Sequence, residues 1–107
     1  MAMNILDIQK SVVKLVENEH KVREIKLSPE IIHMHLASEL ADVASVLENK
    51  DLRPDLYDEK NLREEVVDVV LVSLVLAHFC NVDIEKEISN KLLHASKHGL
   101  TKKQIRH

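Results

Sequence analysis

Four carboxylates stand out because they occur as two pairs, each with the spacing of one helical turn. Glu39 and Asp42 form the first pair, and Glu65 and Asp68 form the second. Residues three apart lie on the same face of a helix, so each pair presents two carboxylates to one side. Apolar side chains surround both pairs in the sequence. The pattern therefore predicts acids on helix faces that are at least partly buried.

Acids in such positions need a positively charged partner, because burying an unpaired charge costs several kcal/mol. The positions three and four residues from Glu39 and from Asp68 hold no Lys or Arg. If the two helices pack antiparallel, the four carboxylates converge, and a cation would compensate their charge. Carboxylate oxygens suit Mg²⁺, with Mn²⁺ possible, and such ions also bind substrate phosphates. The pattern indicates phosphate-ester chemistry; the alternative is a solvated acidic face or an interface of salt bridges.

The elements that carry these acids are predicted to be helices. The chain has one Gly and two Pro among 107 residues, too few turn residues for a protein built from β-hairpins. Apolar residues recur at steps of three and four. This periodicity predicts helices over residues 5–22, 29–48, 61–80 and 84–98, with a loop over 49–60.

Capping signals place the ends of these helices. Ser28 and Asp83 are predicted N-caps, and Asn61 with Glu64 has the spacing of a capping box. Gly99 stands where a left-handed C-cap is expected. We expect one domain over residues 1–107, with its core over about 5–98 and a frayed tail over 99–107.

The third helix is rich in valine, but 18 residues without a breaker exceed the length of an ordinary strand. A helix that is apolar nearly all round belongs at the centre of a bundle. Four short helices cover such a helix incompletely, so we expect a homodimer, or a dimer of dimers, to complete the bundle.

Charge and composition exclude several classes of protein. The 15 Lys and Arg against 18 Asp and Glu give a net charge of −3, which argues against a nucleic-acid partner. The longest apolar stretch, residues 69–80, is too short to cross a membrane. Cys80 is the single cysteine, so an intramolecular disulfide is impossible. We expect Cys80 to be buried and the protein to be cytoplasmic.

The order of these residues resembles a known family. The motif Glu39-x-x-Asp42, a polar loop, the motif Glu65-x-x-Asp68 with its valines, and a later acidic turn followed by Lys91 look like the MazG-like all-α nucleoside triphosphate pyrophosphohydrolases. The resemblance covers roughly residues 29–93. Relatives in that superfamily include dimeric dUTPases and phosphoribosyl-ATP pyrophosphatases.

The resemblance implies a four-helix MazG-like bundle that hydrolyses nucleoside triphosphates to the monophosphate and pyrophosphate with Mg²⁺. It implies that all four carboxylates are metal ligands, and that metal-bound water attacks the α-phosphorus. Glu39 and Glu65 are the expected catalytic residues, since a ligand carboxylate can also orient water. Asn90 and Lys91 occupy the place of the phosphate-contacting residues. The physiological role implied is the removal of non-canonical nucleotides.

The chain also departs from that family's pattern. Asp42 stands where Glu is usual, which shortens the ligand by one methylene, and Ser38 stands where many members carry a further Glu. Tyr57 and Phe79 are the only aromatic residues, so few side chains can stack on a base. The preferred base and sugar stay open.

Other interpretations remain at this point. A noncatalytic helical interaction module, or an antitoxin-like partner, would keep the scaffold without using the acids. A phosphoribosyl-ATP pyrophosphatase would use them on a different substrate. Glu17 with His20, and Glu30 with His33, have the spacing of di-iron bundles. His33 and His35 lie near the acidic face in the sequence and are candidates to support a ligand; the alternative is that both are ordinary surface histidines.

Overall fold

The computed structural model of the protein describes residues 3–99 and contains four α-helices in that range. They are α1 (Ile5–Val22), α2 (Pro29–Leu52), α3 (Glu59–Phe79) and α4 (Ile84–His98). The part of the chain that the structure describes holds no strand. The predicted all-α fold with four helices is confirmed; the predicted tail beyond Gly99 lies outside the described residues.

Two of the predicted N-caps are confirmed. Ser28 Oγ accepts a hydrogen bond from the Ile31 N–H at 3.2 Å, and Asp83 Oδ1 accepts one from the Lys86 N–H at 3.1 Å. Each bond satisfies a backbone donor that the first turn of a helix leaves without a partner, which stabilises a helix by about 1 kcal/mol.

The predicted loop over residues 49–60 is wrong at both ends. Helix α2 continues to Leu52, and it stops at Arg53, whose backbone (φ −140°, ψ 66°) is not helical. Arg53 precedes Pro54, and a proline ring disfavours helical backbone in the residue before it. The polar residues after position 48 are therefore the solvated end of a helix.

Helix α3 also begins earlier than predicted, and its N-cap is Asp58 instead of Asn61. Asp58 Oδ1 accepts hydrogen bonds from the backbone N–H groups of Lys60, at 3.0 Å, and of Asn61, at 3.4 Å. A carboxylate next to a helix N-terminus is favoured by both these bonds and the helix dipole.

Helix α3 is the central element, because α1, α2 and α4 all pack against it. The core is formed by Val13 of α1, Ile32 of α2 and Val75 of α3, which are 5%, 1% and 1% exposed. Gln9 adds a polar link between α1 and α3, donating from Nε2 to the Leu74 carbonyl at 2.9 Å. This core sits in the C-terminal half of α3.

Helices α2 and α3 are antiparallel. Pro29 and His33, at the start of α2, line the same surface pocket as Leu76 and Cys80, at the end of α3. Further along α2, Glu39 approaches Glu65, which is near the start of α3. The antiparallel arrangement that the two acidic pairs require is thus present.

Helix α4 is amphipathic but has no buried residue. Leu92 and Leu93 are 59% and 61% exposed. Gly99 ends the helix with a positive φ of 86°, as predicted, although its ψ of 149° lies outside the left-handed helical region. Its N–H donates to the Ala95 carbonyl at 2.8 Å.

The expectation that Cys80 is buried is wrong. Cys80 is the C-cap of α3 and is exposed, because it lies beyond the last buried residue of that helix, Ala77. Within residues 3–99, no single helix has the length and apolar composition to cross a bilayer. Helices α3 and α4 have that length and composition only when they are taken together, and the two helices are bent by 109° at their junction.

Candidate metal centre

Three of the four predicted acids come together between α2 and α3. Glu39 and Asp42 of α2 and Glu65 of α3 each offer a carboxylate oxygen, and these oxygens lie within 4.8 Å of one another. Glu65 is ten residues before the core residue Val75, a distance of about 15 Å along the helix axis. The acidic cluster, meaning Glu39, Asp42 and Glu65, therefore lies beyond the core and toward the start of α3.

The register of each helix explains why the two glutamates meet. Glu39 lies seven residues after Ile32 and seven before Val46, both of which are buried. Seven residues are nearly two full turns, so Glu39 shares the face that α2 turns toward α3. On α3, Glu65 is likewise seven residues before Val72, which packs on the core. Both glutamates are half-buried as a result.

The two aspartates do not share that burial. Asp42 and Asp68 are exposed, so the expectation that they lie on partly buried faces is wrong for both. A residue three positions on from a core-facing residue is turned about 60° away from it, which places a short side chain at the edge of the interface. Asp68 is outside the group whose oxygens lie within 4.8 Å of one another.

The acids around Glu65 change the pKa of its carboxyl group. Partial burial raises the pKa of its carboxyl group by disfavouring the charged form, and the negative charges of Asp42, Glu39, Asp68 and Glu64 raise it further. Asp68 thus acts on Glu65 through its charge although it is not in the cluster. A carboxyl group with four acidic neighbours is one that a bound cation would stabilise.

Glu39 has a hydrogen-bond partner on its own helix. The imidazole Nε2 of His35, one turn earlier, lies 3.1 Å from Glu39 Oε1. The Glu39 side chain is 17% exposed and that of His35 is 48% exposed, so the imidazole reaches the carboxylate from the solvent side. The other candidate for such a role, His33, instead lines the pocket between the start of α2 and the end of α3.

The donor set of the cluster fits Mg²⁺ or Mn²⁺. All three donors are carboxylate oxygens, the ligands that hard divalent cations prefer. Two oxygens on opposite sides of Mg²⁺ are about 4.2 Å apart, since each bond is about 2.1 Å long. At most one pair of the three oxygens can take opposite positions, and neighbouring ligands of Mg²⁺ are about 3.0 Å apart. The three oxygens, which lie within 4.8 Å of one another, would therefore draw closer together by side-chain movement when the ion binds.

A shallow surface depression of about 260 Å³ lies on α3 at Asp68 and is lined by no residue of the cluster. It is lined by Arg63, Glu64, Val67 and Asp68. Arg63 brings a permanent positive charge to this depression, and sequence reasoning missed it. Arg63 is two residues before Glu65, and residues two apart on a helix do not share a face, so its charge lies on a different side of α3 from Glu65.

The predicted phosphate contacts, Asn90 and Lys91, lie on α4 and are exposed. Within the described residues, the ion pairs join Arg23 to Glu19 and Arg53 to Asp55, and His35 lies against Glu39. Lys91 therefore forms no ion pair with the acidic cluster in residues 3–99. The structure places Asn90 and Lys91 on a separate helix from all the carboxylates.

The di-iron spacings do not produce a second cluster among residues 3–99. No member of those two pairs belongs to the group of acids that meets between α2 and α3. The ring of His20 is bonded to its own helix, with Nδ1 2.9 Å from the Val16 carbonyl oxygen.

Comparison with known proteins adds no relative to this picture. The chain was compared with protein-family models, with curated proteins and with solved structures, and none of the three comparisons gave a match.

Proposed function

We propose that the protein is a Mg²⁺-dependent nucleoside triphosphate pyrophosphohydrolase. The observation that carries the proposal is the meeting of Glu39, Asp42 and Glu65, from two antiparallel helices, with oxygens within 4.8 Å of one another. These acids stand in the order and spacing of the MazG-like motifs that the sequence resembles. The reaction would release a nucleoside monophosphate and pyrophosphate, and non-canonical (d)NTPs are the proposed substrates.

The chain's own residues would divide the work as follows. Glu39, Asp42 and Glu65 would hold Mg²⁺, and Asp68 would add negative charge beside them. A lone pair of Glu39 or Glu65 that does not face the cation would orient the attacking water. Bound Mg²⁺ would supply charge neutralisation on the triphosphate and a lowered pKa for coordinated water. A new bond would join the water oxygen to the α-phosphorus, and the water would give up a proton to the carboxylate that orients it. The bond from that phosphorus to the bridging α–β oxygen would break, and pyrophosphate would leave with the bridging oxygen.

Positive charge for the phosphates would come from side chains outside the cluster. Arg63 lines the depression beside Asp68, and a guanidinium group matches phosphate oxygens in bidentate geometry. Lys91 and Asn90 are the second candidates, on the strength of the family resemblance. Both lie on α4, which follows the end of α3, whereas Glu65 lies near the start of α3.

We also propose that two copies of the chain associate, as a homodimer or as a dimer of dimers. On α3, Val66, Val67 and Val70 are 46–53% exposed. Apolar side chains exposed together on one helix are typical of an interaction surface, and a second copy would cover these valines.

The exposed apolar surface also favours the second candidate, a noncatalytic interaction module. Leu40 and Leu47 of α2 are 52% and 46% exposed and lie on one face, seven residues apart. A module that only binds another protein would use such a surface and would not need Mg²⁺. The two functions therefore differ in what the carboxylates do.

The test is release of pyrophosphate from a panel of canonical and modified NTPs and dNTPs, with Mg²⁺ and with EDTA. We expect release that needs Mg²⁺ and that falls at least 100-fold in Glu39→Gln. Glu48→Gln is the matched control, because Glu48 is an exposed glutamate of the same helix outside the cluster. If no nucleotide is hydrolysed and Mg²⁺ leaves the thermal stability unchanged, the interaction module is the better interpretation.

A further inference from the structure

We propose that His35 is a positioning residue for Glu39, and this inference rests on the proposed metal site. The hydrogen bond from His35 Nε2 to Glu39 Oε1 at 3.1 Å holds one oxygen of the carboxylate, and Oε2 would then be the oxygen left to face the cation. No part of the family resemblance assigns a role to this histidine.

The chemistry of the two groups fixes the direction of the bond. An ionised carboxylate can only accept hydrogen bonds, so the proton must be on Nε2 of the imidazole. A bond to a charged acceptor is stronger than one between neutral groups. Because the bond occupies one lone pair of Oε1, both lone pairs of Oε2 stay free.

The bond has a physical consequence for cation binding. A glutamate side chain has three rotatable bonds, and fixing them on binding costs rotamer entropy. His35 is one turn before Glu39 on the same helix, so its ring stays within reach of the carboxylate and the hydrogen bond restricts the Glu39 rotamer. With the Glu39 rotamer fixed before the cation arrives, part of that entropy cost falls on folding and not on binding.

The geometry distinguishes a positioning role from direct coordination. The group of ligand atoms within 4.8 Å of one another contains three carboxylates and does not include His35. Groups that hydrogen-bond a metal ligand and orient it commonly change metal affinity 10- to 100-fold when they are removed. His35 has the position of such a group.

The experiment measures cation binding without nucleotide, using Mn²⁺ as the probe. Free Mn²⁺ is followed by its electron paramagnetic resonance signal, and Mg²⁺ affinity is obtained by competition. We expect His35→Ala to weaken both cations about 10-fold, and His35→Gln to recover most of that loss, because the Gln amide can donate from a similar position. The matched control His33→Ala, an exposed histidine of the same helix, should bind as the wild type does.

Three results would overturn the proposal. If His35→Ala binds Mn²⁺ as the wild type does while Glu39→Gln does not, the metal site stands and His35 has no role in it. If His35→Ala weakens Mn²⁺ far more than Mg²⁺ and His35→Gln recovers nothing, His35 is itself a ligand. If the wild-type protein binds neither cation, the proposed metal function fails, and the role of His35 with it.

Discussion

Glu39 and Glu65 belong to different helices, yet their carboxylate oxygens lie within 4.8 Å of each other. Each glutamate lies seven residues, nearly two turns, from apolar residues of its own helix that are buried or pack on the core. These are Ile32 and Val46 on α2 and Val72 on α3. Packing of the apolar residues therefore brings like charges together. The carboxylates therefore repel one another in the folded protein, and a bound cation would compensate their charge.

This repulsion predicts how the effect of Glu65→Gln on stability changes with pH. The folded-state pKa of Glu65 is raised above its usual value near 4.5, so the carboxyl group favours folding while it is protonated. That contribution is present below the unfolded-state pKa and is lost as the pH rises through the folded-state pKa. In EDTA, Glu65→Gln should unfold at a higher temperature than the wild type at pH 7.5, with the difference shrinking toward pH 4.

Glu64→Gln is the control for that comparison, since Glu64 is an exposed neighbour that lies outside the cluster. It should change the unfolding temperature less than Glu65→Gln does. A wild-type protein that is more stable than Glu65→Gln at pH 7.5 without metal would contradict the assigned cause of the shift.

Mg²⁺ should stabilise the folded chain through the same carboxylates. A ligand that binds only the folded state at 100 times its Kd adds about 2.7 kcal/mol to the free energy of unfolding. We expect the unfolding temperature to rise with Mg²⁺ in the wild type and to stay nearly constant in Glu39→Gln, as measured by differential scanning calorimetry. An equal rise in both proteins would place Mg²⁺ elsewhere.

The start of α3 can be tested by removing its cap. Asp58→Ala should lower the free energy of unfolding by about 1 kcal/mol, because it removes the acceptor for two backbone N–H groups. Asn61→Ala should cost less than about 0.5 kcal/mol, since exposed positions tolerate substitution. Urea denaturation of both variants gives the comparison; a larger loss in Asn61→Ala would restore the boundary that the sequence predicts.

The core between α1, α2 and α3 should be sensitive to the loss of volume. Ile32 is 1% exposed, and Ile32→Ala should destabilise the fold by about 2–5 kcal/mol through lost burial and a residual cavity. Ile32→Val, at about 0.5–1.5 kcal/mol, gives a measurable value if the alanine variant does not fold. Met34→Ala, at a position 67% exposed on the same helix, should be nearly neutral.

Association of two copies can be tested on α3. Val70 is 53% exposed, and a charge there should be costly if a second copy covers it. We expect the wild type to have at least twice the 12.3 kDa mass of one chain by light scattering after gel filtration, and Val70→Asp to shift toward monomer. Val22→Asp, at an 84% exposed position of α1, is the control. A monomeric wild type would contradict the proposed dimer.

Local signals in the sequence were enough for the helices and for some of their ends. Ser28 and Asp83 cap their helices as predicted, because capping depends on a side chain and the backbone three residues later. The prediction of a loop over residues 49–60 was wrong because the local signals there are ambiguous. Polar residues over 49–60 are compatible with a loop or with a solvated helix end, and only the conformation before Pro54 decides between them.

The sequence by itself determined that each pair of acids lies on one helix face, because the spacing of three residues and the helical repeat require it. Only the tertiary structure decided which acids meet. Glu39, Asp42 and Glu65 converge while Asp68 stays outside, since the register between α2 and α3 depends on how Ile32 and Val75 pack. Contacts between helices depend on the whole core, and no spacing within a single helix encodes them.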